Sequence, residues 1–167
     1  MKLLRHRLAL RVALAALALA LLGYGLAAQA SKVNPAPSLP TGALQGNPVT
    51  VGSLRGHAEA IVFFASWCGP CRKEASAAER FATSRAGRGR VLGVDDSDFG
   101  SGPRNFLRTY SWTFPVLRDP DGTVSDSYGV ASGLPTWVFI NPRGNIVERI
   151  SGPQSFGSLT RYLRHAA

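Results

Sequence analysis

The sequence is organised around one stretch, Glu59-Ala-Ile-Val-Phe-Phe-Ala-Ser-Trp-Cys-Gly-Pro-Cys-Arg-Lys-Glu74. Glu59 is followed by a short apolar run, and this run predicts a strand buried on both faces. Cys68 then opens a helical segment that continues through Ala82 and stops before Gly87. Pro70 is compatible with the first turn of that helix, because the first helical amides have no partner to lose. The stretch therefore predicts a strand, a tight turn and a helix, with two cysteines at the turn.

The two cysteines, Cys68 and Cys71, are the only ones in the chain, and their spacing has three interpretations. A zinc or iron–sulfur site needs further nitrogen or sulfur ligands, and the three histidines (His6, His57 and His165) show no ligand spacing. A purely structural disulfide would contribute little, because stabilisation grows with loop length. The third interpretation, a redox-active dithiol, is favoured, and we expect neither a metal nor a cofactor.

The place of Cys68 at a helix start suits it for attack on a disulfide. The thiolate is the nucleophile, and an ordinary cysteine, with a pKa of about 8.5, is mostly protonated at neutral pH. The unpaired amides and the dipole of a helix N-terminus stabilise the anion. We therefore assign the attack to Cys68, and the resolution of the mixed disulfide to Cys71, one turn further on. Pro70 fixes the backbone between them, and Gly69 leaves room for a substrate chain.

A second motif, Gly133-Leu-Pro-Thr136, precedes an apolar strand predicted at Trp137–Ile140. Proline is the residue for which a cis peptide bond is energetically accessible. A cis bond here presents the backbone of the preceding residue as an edge with which a substrate chain can pair. An ordinary strand-entry proline is the alternative, and it is further disfavoured beside a C-x-x-C motif. We therefore expect Pro135 to be cis and to face the cysteines.

The remaining predicted elements place these motifs in an α/β domain. A second buried strand is expected at 90–94, followed by a loop rich in Asp, Ser and Gly and then a helix carrying Phe106. A hairpin is expected around 141–145, and a last helix at 155–164. The order of strands and helices predicts a central mixed β-sheet flanked by helices.

The first thirty residues have the pattern of an export signal. Four basic residues and no acid accompany an apolar run, and Ala28-Gln-Ala30 fits a cleavage site. A retained membrane anchor is the competing interpretation, because residues 12–28 reach the short end of a bilayer span, about 17–25 residues. In either case the basic end stays inside, and the domain is expected outside the cytoplasm, in the periplasm or on the outer face of the membrane. A lipid anchor is excluded, since no cysteine ends the apolar run.

The chain is thus divided into three predicted segments: a signal peptide or membrane anchor at 1–30, a Pro-rich tether at 31–48 and the globular domain at 49–167. Four of the nineteen Lys/Arg lie in the first segment, and the other fifteen face ten Asp/Glu. These charges are not interleaved with stacking aromatics, which argues against nucleic-acid binding. We expect a monomer that does not bind nucleic acid.

Three stretches together resemble the TlpA/ResA/DsbE branch of the thioredoxin superfamily: Phe63–Glu74, Phe114–Gly122 and Gly133–Asn141 with Gly144. The resemblance covers roughly residues 44–165. It implies a thioredoxin-like fold and an extracytoplasmic dithiol–disulfide exchanger whose substrates are protein disulfides. In this branch the role is often to reduce apocytochrome c cysteines before haem attachment, with electrons from a membrane thiol transporter.

The resemblance also implies roles for single residues. Cys68 and Cys71 take the attacking and resolving positions, Pro135 the cis-proline position, and Trp67 the position of the flanking aromatic. Glu74 matches an acidic residue that this branch keeps near the dithiol. It is either a proton-transfer group for Cys71 or a solvated acid favourable to the helix dipole.

Three departures from the family pattern qualify these roles. Thioredoxin proper has a buried Asp where this chain has Val62, so proton handling must rest on Glu74, water or substrate. Ser76 replaces a usual proline. Thr136 stands where the cytochrome-maturation subgroup often has Glu, which favours a general exchanger.

Other functions remain as alternatives. The Gly-Pro dipeptide between the cysteines occurs in strongly reducing thioredoxin, but the compartment also permits an oxidant that introduces disulfides into exported proteins. Metal delivery and a non-catalytic binding module are weaker alternatives. A metal-delivery protein of this kind is expected to have a wider cysteine spacing. In a non-catalytic binding module, the placement of the only two thiols at a helix start would have no explanation.

Overall fold

The computed structural model describes residues 34–130 and 133–167, together with residues 14 and 15. The chain separates into two units, residues 1–33 and 34–167, and the second contains the β-sheet and both cysteines. The predicted signal or anchor at 1–30 lies outside the described residues apart from Leu14 and Ala15. In the part of the chain that is described, no helix has the length and apolar character needed to cross a membrane.

The second unit is an α/β domain, as the sequence predicts. Its strands are Gly42–Gln45 (β1), Glu59–Phe64 (β2), Val91–Asp96 (β3), Val116–Asp119 (β4), Thr136–Ile140 (β5) and Ile146–Ser151 (β6). Its α-helices are Gly69–Thr83 (α1), Gly102–Thr109 (α2), Thr123–Ser127 (α3) and Phe156–Ala166 (α4), and a 3-10 turn covers Val51–Leu54. The strands form one mixed sheet, in the order β1-β4-β3-β2-β5-β6.

Strand β2 is central and fixes the position of the cysteines. It runs parallel to β3 and antiparallel to β5, and all six of its residues are buried. The register pairs Phe64 with Asp95 on one side and Phe63 with Thr136 on the other. The loop that follows β2 therefore lies between the loop that leaves β3 and the loop that enters β5.

The two faces of the sheet build two apolar clusters. Ala60, Val62 and Phe64 belong to the cluster that contains both cysteines and the inner sides of α1 and α4. Ile61 and Phe63 belong to the other cluster, on the opposite face. The alternation follows from the two-residue period of a strand, and a strand buried on both faces has to be apolar almost throughout.

Trp112 joins α1 to the end of α2. Its Nε1 donates to the carbonyl oxygen of Ala75 at 2.9 Å, and its ring lies 4.6 Å from that of Phe64 and 5.2 Å from that of Phe106, centroid to centroid. A buried indole N–H needs such a partner, since an unpaired one would lose its bond to water without replacement. The cysteine-bearing helix is held against the sheet in part by this contact.

The segment before Val49 differs from the predicted tether. From residue 34 onwards it packs on the domain: Gly42–Gln45 is an edge strand paired with β4, and the side chain of Leu39 is buried in the second apolar cluster. The hydroxyl of Tyr128 donates to the carbonyl oxygen of Pro37 at 2.7 Å. The prolines in this segment break the local periodicity. Its packing depends on contacts with distant residues, which local sequence patterns do not predict.

Elsewhere the predicted elements agree with the structure to within a few residues. The hairpin turn is closed by the amide of Asn141, which donates to the carbonyl oxygen of Asn145 at 2.9 Å. Gly144 occupies that turn with φ +83°, a conformation that glycine adopts without strain. The last helix begins after Ser155, whose hydroxyl caps it by accepting from the amide of Ser158.

Candidate active site

The two cysteines lie where β2 ends and α1 begins, and they form a disulfide with a Cα–Cα distance of 5.3 Å. Cys68 is the N-cap residue of α1, and Pro70 stands in the first turn. Both sulfurs are almost covered: Cys68 is 4% exposed and Cys71 is 1% exposed. The structure shows the oxidised form, with both cysteines buried.

A backbone amide points at the sulfur of Cys68. The amide of Cys71 donates to Cys68 Sγ, with a nitrogen–sulfur distance of 3.0 Å. This amide is one of the unpaired donors at the helix start, and the positive end of the helix dipole lies there too. When the disulfide is reduced, the same features stabilise a thiolate on Cys68. The arrangement can thus supply a nucleophilic sulfur at neutral pH.

The other residues of the motif are more open to solvent. Pro70 is exposed and Gly69 is half-buried. A Cβ at Gly69 would meet a single neighbour, Arg72 Nη2 at 3.7 Å, so glycine keeps this side of the disulfide unobstructed without being required by the fold. Trp67 is 59% exposed, and its Nε1 donates to the carbonyl oxygen of Ser97 at 3.2 Å.

The cis bond expected before Pro135 is present, whereas the expectation that Pro135 faces the cysteines stays a prediction. The Leu134–Pro135 peptide bond is cis, and Pro135 is buried immediately before β5. Thr136 opens β5 opposite Phe63, and its hydroxyl donates to the carbonyl oxygen of Gly133 at 2.7 Å. The turn that holds Pro135 therefore lies beside the end of β2, next to the loop that carries the cysteines.

Glu74 is a buried carboxyl one turn beyond Cys71. It is 4% exposed. Its Oε1 accepts from Trp137 Nε1 at 3.0 Å, and its Oε2 accepts from the amide of Gln154 at 2.7 Å. Burial raises the pKa of Glu74 to about 7, and the two hydrogen bonds oppose that rise. The solvated first-turn acid that the sequence left open is not what the structure shows.

The position that thioredoxin proper fills with an acid is apolar here. Val62 is fully buried in the cluster that contains the cysteines. The buried acid near the dithiol in sequence is instead Glu74, three residues beyond Cys71.

A second group of acids lies at the end of β3, where the sequence predicts only a polar loop. Asp98 is buried, and its Oδ2 accepts from the amide of Ser66, two residues before Cys68. Asp95 is 1% exposed, with Arg118 Nε 3.9 Å from its Oδ2. Burial raises the pKa of Asp95 to about 8; the nearby Asp98 adds to the rise and Arg118 opposes it. The sequence carries a signal for this group, because the acids Asp95 and Asp96 close an apolar run. It carries none for the contact between Asp98 and the amide of Ser66.

A cavity of about 610 Å³ lies at the opposite end of the sheet. It is lined by residues at the amino ends of β2, β3 and β4 and at the end of α1, with His57 and Glu59 among them. His57 Nε2 lies 2.6 Å from Glu59 Oε1. Since the cysteines lie at the carboxyl end of β2, this cavity is separate from the disulfide. Within the described residues, no group of three or more His, Cys, Asp or Glu side chains could hold a metal ion.

Comparison with known proteins agrees with this geometry. The model of the AhpC/TSA family matches residues 33–149. The thiol-disulfide oxidoreductase ResA of Bacillus subtilis (strain 168) is 28% identical over 134 residues, which cover 80% of this chain and 74% of that protein.

The chain is also similar to solved structures of thioredoxin-like proteins. A thiol:disulfide interchange protein of the thioredoxin family from Chlorobium tepidum TLS gives a TM-score of 0.71 at 27% identity, covering 81% of this chain and 97% of that one. The structure of MTB dsbF in mixed oxidized and reduced forms gives 0.67 at 29% identity, covering 79% and 96%. The chain belongs to the AhpC/TSA family, and with its Cys68–Cys71 pair it is a thioredoxin-like thiol–disulfide oxidoreductase distantly related to ResA.

Proposed function

We propose that the protein reduces disulfides in other proteins outside the cytoplasm, with Cys68 as the attacking thiol. The observation that carries the proposal is the amide of Cys71 directed at Cys68 Sγ at the start of α1. A thiolate held by a helix N-terminus attacks more readily at neutral pH than an ordinary cysteine. The location is supported by the basic and apolar pattern of residues 1–30.

The reaction proceeds in two exchanges. In the dithiol form, the Cys68 thiolate attacks one sulfur of the substrate disulfide; a mixed disulfide forms, and the other substrate sulfur leaves as a thiolate that takes up a proton. The Cys71 thiol then loses its proton and attacks Cys68 Sγ, which releases the second substrate thiol. The protein ends as the Cys68–Cys71 disulfide, and two electrons have passed to the substrate. A partner dithiol must return them.

Reduction is favoured over oxidation by the Gly-Pro dipeptide between the cysteines, which also occurs in thioredoxin, at about −270 mV. We propose a membrane thiol transporter as the electron donor and exported proteins as the substrates. Apocytochrome c is one candidate substrate. Thr136, where the cytochrome-maturation subgroup often has Glu, favours a broader substrate range. Pro135 is the proposed edge on which the substrate backbone pairs, and Trp67 its flanking aromatic.

Glu74 is proposed to accept the proton of Cys71 during the second exchange. It lies three residues beyond Cys71 on α1, so the two side chains share one side of the helix. Its pKa of about 7 is suited to a general base at neutral pH, because such a group is largely ionised there and yet basic enough to accept a proton.

The proposed function is tested by reduction of insulin with dithiothreitol as the electron source. The wild-type protein is expected to accelerate the reaction, and Cys68→Ser to abolish the acceleration, because the remaining thiol, Cys71, is not at the N-cap position of α1. Ser76→Ala, a change on α1 outside the motif, is the control and should keep full activity. Full activity in Cys68→Ser would contradict the mechanism.

The direction of electron flow is tested by equilibrating the protein against glutathione buffers and measuring the midpoint of the Cys68–Cys71 couple. A reductant requires a midpoint well below that of the oxidant DsbA, which is about −120 mV. We expect a value nearer to −270 mV. A midpoint above about −150 mV would overturn the reductant assignment and favour disulfide introduction instead.

The role of Glu74 is tested by Glu74→Gln, which removes the charge at nearly constant shape. In the wild type, the rate of the second exchange should rise as the pH passes through about 7, where Glu74 loses its proton. The variant should lack this rise and be slower by about tenfold or more at pH 8. Release of the second substrate thiol in single-turnover experiments gives the rate.

Glu79→Gln is the matched control for that experiment. Glu79 lies on the same helix, and its carboxylate accepts from the amide and the hydroxyl of Thr113. It should retain the wild-type pH profile. If Glu74→Gln also retains it, Glu74 is a structural link and the proton leaves Cys71 by another route.

A further inference from the structure

Two large aromatic side chains are left exposed beside the cysteines. In residues 34–130 and 133–167, Phe99 at 74% and Trp67 at 59% are the most exposed large apolar side chains. Single exposed apolar residues are ordinary on protein surfaces, whereas exposed apolar patches are found where partners bind. Trp67 was expected from the sequence, whereas Phe99 was not.

One buried carboxylate ties the two aromatics to each other. Asp98 Oδ1 accepts from the amide of Phe99 at 2.8 Å, and Asp98 Oδ2 accepts from the amide of Ser66, the residue before Trp67. The indole of Trp67 also donates to the carbonyl oxygen of Ser97. The loop after β3 is therefore attached to the segment that leads into Cys68.

The start of α2 packs against Ser66 and Asp98. Gly102 leaves no room for a Cβ, because such an atom would overlap Ser66 Oγ and crowd Asp98 Oδ1. Arg118 Nη2 donates to the carbonyl oxygen of Asp98 at 3.3 Å. Phe99 is thus carried by a loop that is fixed at several points, although its own side chain is open to solvent.

The sheet order places this loop and the proline turn on opposite sides of the cysteines. Strand β2 lies between β3 and β5, so the loop 97–99 leaves the sheet on one side of Cys68, and Pro135 enters it on the other. A substrate chain that pairs beside Pro135 and crosses the disulfide continues toward Trp67 and Phe99.

We propose that Trp67 and Phe99 form an apolar platform that binds an apolar side chain of the substrate, close in sequence to its reacting cysteine. The inference rests on the proposed function and specifies its substrate class. The preferred substrates are disulfides in extended or unfolded polypeptides with an exposed apolar residue next to the cystine. Folded proteins bury such residues, and small disulfides such as oxidised glutathione lack them.

The test compares two disulfide-bonded peptides of equal length that differ at the residue beside one cysteine, Leu in one and Ser in the other. The protein is reduced with dithiothreitol, freed of it and mixed with each peptide, and the rate of a single turnover is followed by tryptophan fluorescence. The wild type should prefer the Leu peptide by about fivefold, the factor expected for partial burial of one apolar side chain.

Phe99→Ser should bring the ratio of the two rates close to one, while Phe99→Leu, which remains apolar, should keep most of it. Val147→Thr is the control: Val147 is another exposed apolar side chain, on β6, which pairs with β5. It should leave the ratio unchanged.

The outcomes separate this inference from the proposed function. Equal rates for the two peptides in the wild type, or an unchanged preference in Phe99→Ser, would overturn the platform while leaving the reductase standing. A wild-type protein that reduces neither peptide would overturn the proposed function, and the platform with it.

Discussion

The structure depends on the burial of β2. Because every residue of this strand is buried between its sheet neighbours and an apolar cluster on each face, the point at which the chain leaves the sheet is fixed. Cys68 follows at once as the N-cap of α1. That helix is in turn held by Ala75, Ala78 and Phe81, all fully buried. Core packing therefore fixes the Cys68 sulfur at a helix N-terminus. A thiolate is stabilised at that position.

Buried carboxylates connect this apolar framework to the reaction. Glu74 links α1 to β5 and to the segment before α4 through Trp137 and Gln154, and Asp98 links the loop after β3 to the residue before Trp67. Burial without hydrogen bonds would cost several kcal/mol for a polar group, about 2–7. The hydrogen bonds offset part of that cost. For Glu74 the effect of burial exceeds that of the two hydrogen bonds, and the pKa is therefore raised to about 7. One group thereby serves both the fold and, in our proposal, the proton transfer.

The sequence predicts those parts of the molecule that local patterns encode. The strand and helix around Cys68, the cis bond before Pro135 and the α/β class follow from apolar runs, helix-start chemistry and proline. The packing of residues 34–48 does not, because it depends on pairing with β4, far along the chain. Spacing puts Glu74 near the dithiol, but its burial depends on Gln154, eighty residues away. The relation of Phe99 to the cysteines could not be predicted, because it depends on the hydrogen bond that the amide of Ser66 donates to Asp98.

The central claim is that the helix N-terminus makes Cys68, and not Cys71, the reactive thiol. It is tested most directly by alkylating the reduced protein with iodoacetamide over a range of pH and identifying the modified cysteine by peptide mass spectrometry. The account predicts that Cys68 is modified first and titrates below about 8.5, the value of an ordinary cysteine. Faster modification of Cys71, or a Cys68 that titrates at or above the ordinary value, would contradict it.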